Sequence, residues 1–295
     1  MKVIAIVGPT ASGKSALALR AAERSDGEIV SADSRQVYRG MDVGTAKPTL
    51  EERRRVPHHC IDLVDPGMPY DVARFQVDAR SALGQIAARG RNAYVVGGTG
   101  LYVRALLDGL GFDAVPTDPD LRSRLETRAR NEGGAALHRE LAGIDAAAAA
   151  RVDARNVRRV VRYLEIATLM GHVPMERSLP VPAYRIGLDP PRGWLDAAIV
   201  ARVRRMVADG VIEETRRLVE RGLDPRSPSM TAHGYAHWAA HLRGELSLDD
   251  ASAATARDVR AYSRRQMTWF RKDPSIDWVD PTVTDPLPLL ERAAA

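Results

Sequence analysis

A single cysteine, Cys60, stands among the 295 residues, so no internal disulfide framework supports this fold and a reducing compartment is expected. No apolar run is long enough to cross a bilayer, which argues against an integral helical membrane protein and makes a soluble cytoplasmic one the expectation. Lys2 precedes only five apolar residues, Val3 to Val7, too few for the apolar region of a secretory leader. Internal repeats are missing, as is any low-complexity segment beyond the alanine run at 146–150. Metal-ligand sets are missing too. His58-His59-Cys60 has no partner pair at ligand spacing, and His233, His237 and His241, at i, i+4 and i+8, have no acid or thiol to complete a site.

What is present describes a globular chain. Its hydrophobic fraction is 45%, and its length holds one large core with an elaboration, or two domains. A formal net charge of +5 and a pI near 9.5 favour a polyanionic partner, although the placement of the arginines decides more than their number. The short apolar run Val3-Ile4-Ala5-Ile6-Val7 leads directly into Gly8-Pro9-Thr10-Ala11-Ser12-Gly13-Lys14-Ser15. This is G-x-x-x-x-G-K-[ST], a phosphate loop between a buried strand and a helix, and residues 16–22 supply the helix. Gly8 and Gly13 let successive N–H groups converge on phosphate oxygens, where the helix N-terminus adds positive potential. Lys14 supplies a mobile charge, and the Ser15 hydroxyl suits a Mg²⁺ ligand. The motif leaves open which phosphate is held.

Residues 28–31 read as a second strand. In a parallel sheet it delivers Ala32-Asp33-Ser34-Arg35-Gln36 to the edge that carries the phosphate loop, where ligands of open α/β sheets bind. Asp33 is therefore a candidate site residue, with a helix N-cap as the alternative. Residues 37–48 are glycine-punctuated and too irregular for a regular element, as binding loops on rigid frames are. Residues 61–65 resemble a Walker-B strand ending in aspartate. The clearest later strand, 92–96, ends instead in Gly97-Gly98-Thr99-Gly100. Lack of a convincing Walker-B acid argues against an ATP-hydrolysing motor, whereas the glycines admit a ligand close to the backbone and the Thr99 hydroxyl would face it.

From residue 116 the composition turns to Ala, Arg and Glu, with helical periodicity over 121–130, 135–141 and 157–170, which reads as an insertion ending near Pro182. Arg158, Arg159 and Arg162 share a helix with Leu164 and Ile166; a basic binding face and a solvated face both explain that pattern. Residues 184–189 return to the sheet, and helices come next over 195–208 and 211–220. A capping box at Ser247 opens a helix running to about 272. On it Arg257, Arg260, Arg264 and Arg271 fall close to one face, joined by Arg265 and Lys272 and interleaved with Tyr262, Trp269 and Phe270. Such a helix suits an RNA backbone with unstacked bases, or else covers core with solvated arginines. Trp278-Val279-Asp280 reads as a last strand, and the proline-rich tail after it as poorly ordered.

Together the stretches 8–15, 31–47, 95–102, 158–165 and 264–271 resemble one family, the tRNA dimethylallyltransferases, which attach an isoprenoid group to N6 of the adenine just 3′ of the anticodon. Ser31-Ala32-Asp33-Ser34-Arg35-Gln36-Val37-Tyr38-Arg39-Gly40-Met41-Asp42-Val43-Gly44-Thr45-Ala46-Lys47 is the most specific of them. The resemblance implies an α/β fold: a P-loop NTPase-like parallel sheet core over 1–115 and 183–295, with a mostly helical insertion at 116–182 that grips the anticodon stem-loop of tRNA. It implies dimethylallyl diphosphate as donor, held by Gly8, Pro9, Thr10, Ala11, Ser12, Gly13, Lys14 and Ser15, with Mg²⁺ at Ser15. Asp33 would accept the proton of the adenine amine, Thr99 would stand at the mouth of the reaction channel, and Lys14 would stabilise the leaving pyrophosphate. Asp33, Ser34, Arg35, Gln36, Thr99, Arg122, Arg158, Arg159, Val160, Val161, Arg162, Arg260, Arg264 and Arg265 would touch tRNA. A monomer is expected.

Three alternatives stand beside this reading: an adenylate isopentenyltransferase acting on free AMP, a small-molecule P-loop kinase, and a binding-only member. Residues 229–237 depart from the family pattern, because many members carry an arginine shortly before the Gly-Tyr. Lys47, Arg185 and His233 are the candidates to replace its charge.

Overall fold

The computed structural model describes residues 1–295 apart from 112–115, 175–178, 225–226, 228 and 232–233. Two compact units make up the chain, Met1–Leu110 with Leu179–Ala295, and Gly111–Ser178. In chain order the elements are β1 (Val3–Val7), α1 (Lys14–Arg24), β2 (Gly27–Ser31), α2 (Leu50–Arg55), β3 (His58–His59), α3 (Val72–Ala88), β4 (Asn92–Val96) and α4 (Gly100–Leu107). The smaller unit contributes α5 (Pro119–Glu132), α6 (Gly134–Ile144), α7 (Ala146–Ala150) and α8 (Val157–Met170). The larger unit resumes with β5 (Tyr184–Leu188), α9 (Arg192–Ala208), α10 (Val211–Glu220), α11 (Tyr235–Leu242), α12 (Leu248–Phe270), β6 (Ile276–Val279) and α13 (Leu287–Ala294).

The strands form one parallel sheet in the order β3-β2-β4-β1-β5-β6. β1 is buried at every residue, and its period of two splits it between two cores. Val3, Ala5 and Val7 pack toward α3 and α4, while Ile4 and Ile6 pack toward α1 and α13. With both faces covered, the carboxyl ends of β1, β2 and β4 open at one sheet edge. There Gly97 N–H donates to Ile6 O at 3.3 Å, Ala32 N–H to Val96 O at 2.8 Å and Thr99 N–H to Ala32 O at 3.2 Å. A Cβ on Gly97 would lie 2.1 Å from Ala32 O, so only glycine allows the ends of β2 and β4 to approach this closely.

Two expectations are corrected. Residues 61–65 form no strand: β3 is two residues long, and Cys60 (φ 60°) and Asp62 (φ 56°) turn the chain away from the sheet. The tail is ordered as α13. Pro286 and Pro288 fall where a helix start tolerates a missing N–H, and Leu287 and Leu290 are buried in the core against α1. Arg20–Asp285 and Arg24–Glu291 ion pairs, at 3.1 and 2.8 Å, flank that contact.

Glu28 fixes β2 to its neighbours. Only 1% of its side chain is exposed; it accepts from Arg89 Nε at 2.7 Å and lies 2.6 Å from His59 Nε2. The Arg89 hydrogen bond, aided by His59 against the burial penalty, holds its carboxyl at about 2, below the ordinary 4.5. A depressed folded value means the stabilisation is full above pH 4.5 and is lost as pH falls toward about 2. Glu28→Gln is expected to cost about 2 kcal/mol at neutral pH, less than the full shift because its arginine partners face solvent. It should also flatten the acid limb of the stability curve. Thermal melts across that pH range check both.

The smaller unit closes around Leu125, Leu137, Leu141, Val160, Val161 and Leu164. Asp118, Asp145 and Asn156 side chains cap α5, α7 and α8. Glu165, fully buried, accepts from Arg122 Nε at 2.8 Å, from Arg162 Nη1 at 2.9 Å and from Asp118 N–H at 2.8 Å, which ties α5 to α8.

Candidate functional site

The phosphate loop takes its shape from backbone that few residues adopt. Gly8 has φ 133° and passes so near Leu188 that a Cβ would lie 2.6 Å from its carbonyl oxygen. Gly13, at φ 91°, is the N-cap of α1. The first-turn N–H groups of α1 have no partner inside the helix, and they open on a cavity of about 990 Å³. Ser12 Oγ, in the loop that lines this cavity, is buried and has no hydrogen-bond partner. An orphaned buried hydroxyl costs roughly 1–3 kcal/mol, which a bound phosphate oxygen would recover. The loop therefore fits a phosphate ligand by chemistry as well as by motif.

The far wall comes from β2, from the irregular loop at 42–47, and from α9 and α12. Asp33 lies just past β2 and accepts from Arg35 N–H at 2.8 Å, which closes a turn over 34–37. No helix comes after it, so the N-cap alternative falls and the carboxylate lines the cavity. Thr99 Oγ1 accepts from Ser34 N–H at 3.1 Å, which couples the ends of β2 and β4. Gln36 Nε2 donates to Ala46 O at 3.2 Å and its Oε1 accepts from Ser31 Oγ at 2.9 Å.

Three further groups complete the wall. Gln266 of α12 accepts from Thr10 N–H at 2.8 Å and donates to Gly98 O at 3.0 Å, bridging the phosphate loop to the end of β4. Tyr262, one turn earlier, shares hydrogen bonds with Thr99 and Gln266, and burial followed by the Asp33 charge raises its phenol above the ordinary range. Arg202 of α9 lines the cavity and donates to Thr45 O at 3.4 Å, with Arg205 beside it. Burial, then the Arg202 charge, lowers the Lys14 ammonium to about 7, against the pull of Asp33. Lys14 and Arg202 thus feel Asp33 across the same space, with two cations facing a position suited to an anion. Gln266 stands within a motif already noted, but nothing in the sequence marks Arg202 among Arg202, Arg204 and Arg205.

The candidates for the missing positive charge are corrected accordingly. Lys47 Nζ is committed to Tyr38 O, Asp42 and Asp62, the last two at 2.7 and 2.6 Å. Arg185 pairs with Asp108 and Asp273, both at 2.6 Å, and does not line the cavity. His233 lies outside the described residues.

The residues expected to touch tRNA divide by exposure. Val160 and Val161 are 0% and 2% exposed and present no contact surface; they sit on the apolar side of α8, opposite its arginines. Arg122 and Arg162 are engaged with Glu165, whereas Arg158 is exposed and Arg159 lies over the Tyr163 ring at 5.1 Å. On α12, Arg260 pairs with Asp196 at 3.2 Å, and at its C-cap Arg271 pairs with Asp189 at 2.9 Å. Arg264 and Arg265 are exposed, Arg265 lying 5.7 Å over the Tyr262 ring. Arg35 donates to Thr231 Oγ1 at 3.2 Å. The described histidines of the two candidate metal sets are otherwise engaged: His58 with Val56 O at 2.7 Å, His59 with Glu28, His237 with Asp258 at 2.8 Å and His241 with Leu246 O at 2.9 Å.

The chain is similar to known proteins. The chain matches the family described as IPP transferase over residues 36–273 and that described as isopentenyl transferase over residues 1–60. The tRNA dimethylallyltransferase of Thermomicrobium roseum is 50% identical over 284 residues, covering 95% of this chain and 86% of that protein. That of Anaeromyxobacter dehalogenans is 50% identical over 299 residues, 99% of each chain. A full-length tRNA isopentenylpyrophosphate transferase from Bacillus halodurans superposes with a TM-score of 0.73 at 41% identity, over 99% of this chain and 94% of that one. A eukaryotic dimethylallyltransferase acting on tRNA shares the fold, with a TM-score of 0.79 at 23% identity over 100% of this chain and 78% of that one. Identity at this level over nearly the whole chain, phosphate loop, Asp33 turn and α12 included, means that the chain belongs to the tRNA dimethylallyltransferase family.

Proposed function

We propose that this protein transfers a dimethylallyl group from dimethylallyl diphosphate to N6 of the adenine 3′ to the anticodon in tRNA, releasing pyrophosphate. The observation that carries this reading is that Asp33 lines one cavity with Lys14 and Arg202, close enough for its charge to act on both cations. The adenine nitrogen attacks the allylic carbon as the carbon–oxygen bond to diphosphate breaks, and Asp33 accepts the proton the amine loses. Lys14, Arg202, the Ser12 hydroxyl and the first-turn N–H groups of α1 meet the charge growing on the leaving group.

Mg²⁺ fits this site as a partner of the diphosphate. Ser15, at the start of α1, lines the cavity and would hold the ion; the described residues have no cluster of three or more His, Cys, Asp or Glu side chains to hold it alone. An ion held by one hydroxyl, phosphate oxygens and waters suits the hard, strongly hydrated character of magnesium. When bound it would offset charge on the departing pyrophosphate.

The exposed Arg264, Arg265 and Arg158 supply phosphate contacts for the tRNA stem-loop, and a base in a single-stranded loop leaves its stack at low cost. No helix among the described residues is long and apolar enough to cross a membrane.

Labelled dimethylallyl diphosphate, offered with unmodified tRNA or with AMP, tests the assignment. Label is expected in tRNA; label entering AMP alone would overturn it, and tight tRNA binding without transfer would indicate a binding-only protein. Arg264→Ala should weaken tRNA binding and reduce the salt slope by about one. Filter binding across a salt series measures both.

A further inference from the structure

Three consecutive backbone N–H groups of the cavity loop turn toward one side chain from another part of the fold. Glu214 Oε2 accepts from Asp42 at 2.7 Å and Val43 at 2.8 Å; its Oε1 accepts from Gly44 at 2.9 Å and from the Tyr235 hydroxyl at 2.6 Å. A run of N–H groups gathered in this way is an anion-binding concavity. Here the anion is the protein's own carboxylate, only 2% exposed. Gly44 is part of the fit, because a Cβ there would lie 2.5 Å from the Tyr235 ring.

The clamped loop carries groups of the cavity. Its Thr45 carbonyl accepts from Arg202 at 3.4 Å, and its Thr45 and Ala46 carbonyls accept from Gln36 Nε2 at 3.4 and 3.2 Å. Its own turn bonds, Ala46 N–H to Val43 O at 3.0 Å and Lys47 N–H to Asp42 O at 2.9 Å, close the loop on itself without setting its distance from α9. Glu214 and Tyr235, at the starts of α10 and α11, anchor it from outside.

We infer that Glu214, held by Tyr235, is a positioning residue for the donor site: by filling the concavity at 42–44 it sets the Thr45 carbonyl that orients Arg202 toward the diphosphate. This rests on reading the cavity as the diphosphate site. No proton moves and no substrate touches Glu214. An amide cannot replace the carboxylate, since its nitrogen would face N–H donors and leave them unpaired.

Glu214→Gln and Tyr235→Phe test the clamp, with the KM for dimethylallyl diphosphate, kcat, the Kd for inorganic pyrophosphate and the affinity for an unmodified anticodon stem-loop as readouts. Glu214→Gln is expected to raise the donor KM and the pyrophosphate Kd about tenfold, as small misplacements of binding groups do, with stem-loop affinity within about twofold of the parent. Tyr235→Phe, which removes one of the four bonds, should move the same two constants by about threefold. A Glu214→Gln protein that binds pyrophosphate like the parent, or loses pyrophosphate and stem-loop affinity in parallel, overturns the inference. Should that variant not fold, an unchanged pyrophosphate Kd in Tyr235→Phe overturns it equally. Failure of the parent protein to bind pyrophosphate would instead remove the diphosphate reading of the cavity.

Discussion

Asp33→Asn is expected to lower prenyl transfer about a thousandfold while pyrophosphate and stem-loop binding stay within about twofold of the parent; this follows from the turn that holds the carboxylate. Asp33 Oδ1 accepts from Arg35 N–H at 2.8 Å. An asparagine keeps that acceptor and the turn over 34–37, but it cannot take a proton from the adenine amine. A positioned general base contributes typically 10²–10⁴-fold, so single-turnover transfer should fall by about a thousandfold. Asp33→Ala removes base and turn acceptor together, and any loss of tRNA affinity it shows beyond that of Asp33→Asn reports the turn. An Asp33→Asn protein with more than about a tenth of parental activity would remove the general-base assignment.

Arg202→Ala should rank second. Its guanidinium shares the cavity with Lys14 and is anchored to Thr45 O at 3.4 Å, so it faces the position where leaving-group charge grows. A hydrogen bond to a charged group contributes about 1.5–3 kcal/mol, which predicts a donor KM raised by roughly 10- to 100-fold. Because the charge on pyrophosphate increases as the bond breaks, kcat should fall as well. Arg202→Lys is expected to recover part of the binding, since it restores a point charge without the planar fork. Steady-state kinetics at saturating tRNA measure these effects, and a donor KM unchanged in Arg202→Ala would place the diphosphate elsewhere. Neither substitution touches the exposed arginines of α12, so stem-loop affinity serves as the internal control.

The contrast between these two residues shows where reading along the chain reaches and where it stops. Asp33 is accessible to it because its neighbours in sequence are its neighbours in space: β2 is a short apolar strand, and the residues just past a parallel strand fall at the ligand edge. Arg202 is not, because it lies on a helix with Arg204 and Arg205, and only the packing of α9 decides that Arg202 and Arg205, and not Arg204, line the cavity. Gln266 and Glu214 act over 256 and 172 residues of separation, to Thr10 and Asp42 respectively, and nothing local signals such pairings. The arginines of α5, α8 and α12 show the same limit from the other side. Spacing along α8 and α12 suggests basic faces, yet Arg122, Arg162, Arg260 and Arg271 have acidic partners, and Val160 and Val161 belong to a core.

By itself the sequence determined what short-range chemistry determines. The glycines and lysine at 8–15 make a phosphate loop, the apolar runs make parallel strands, and Asp33 and Thr99 come just after strand ends. Motifs spread along the chain are specific enough to indicate the family. The tertiary structure alone decided which cations meet the phosphate, which arginines stay exposed, and that the proline-rich tail folds as α13 over α1. Those outcomes depend on the packing of helices far apart in the chain, where burial and a partner's charge outweigh local pattern. The phosphate loop is thus written in consecutive residues, while the wall that faces it is assembled from four separate elements.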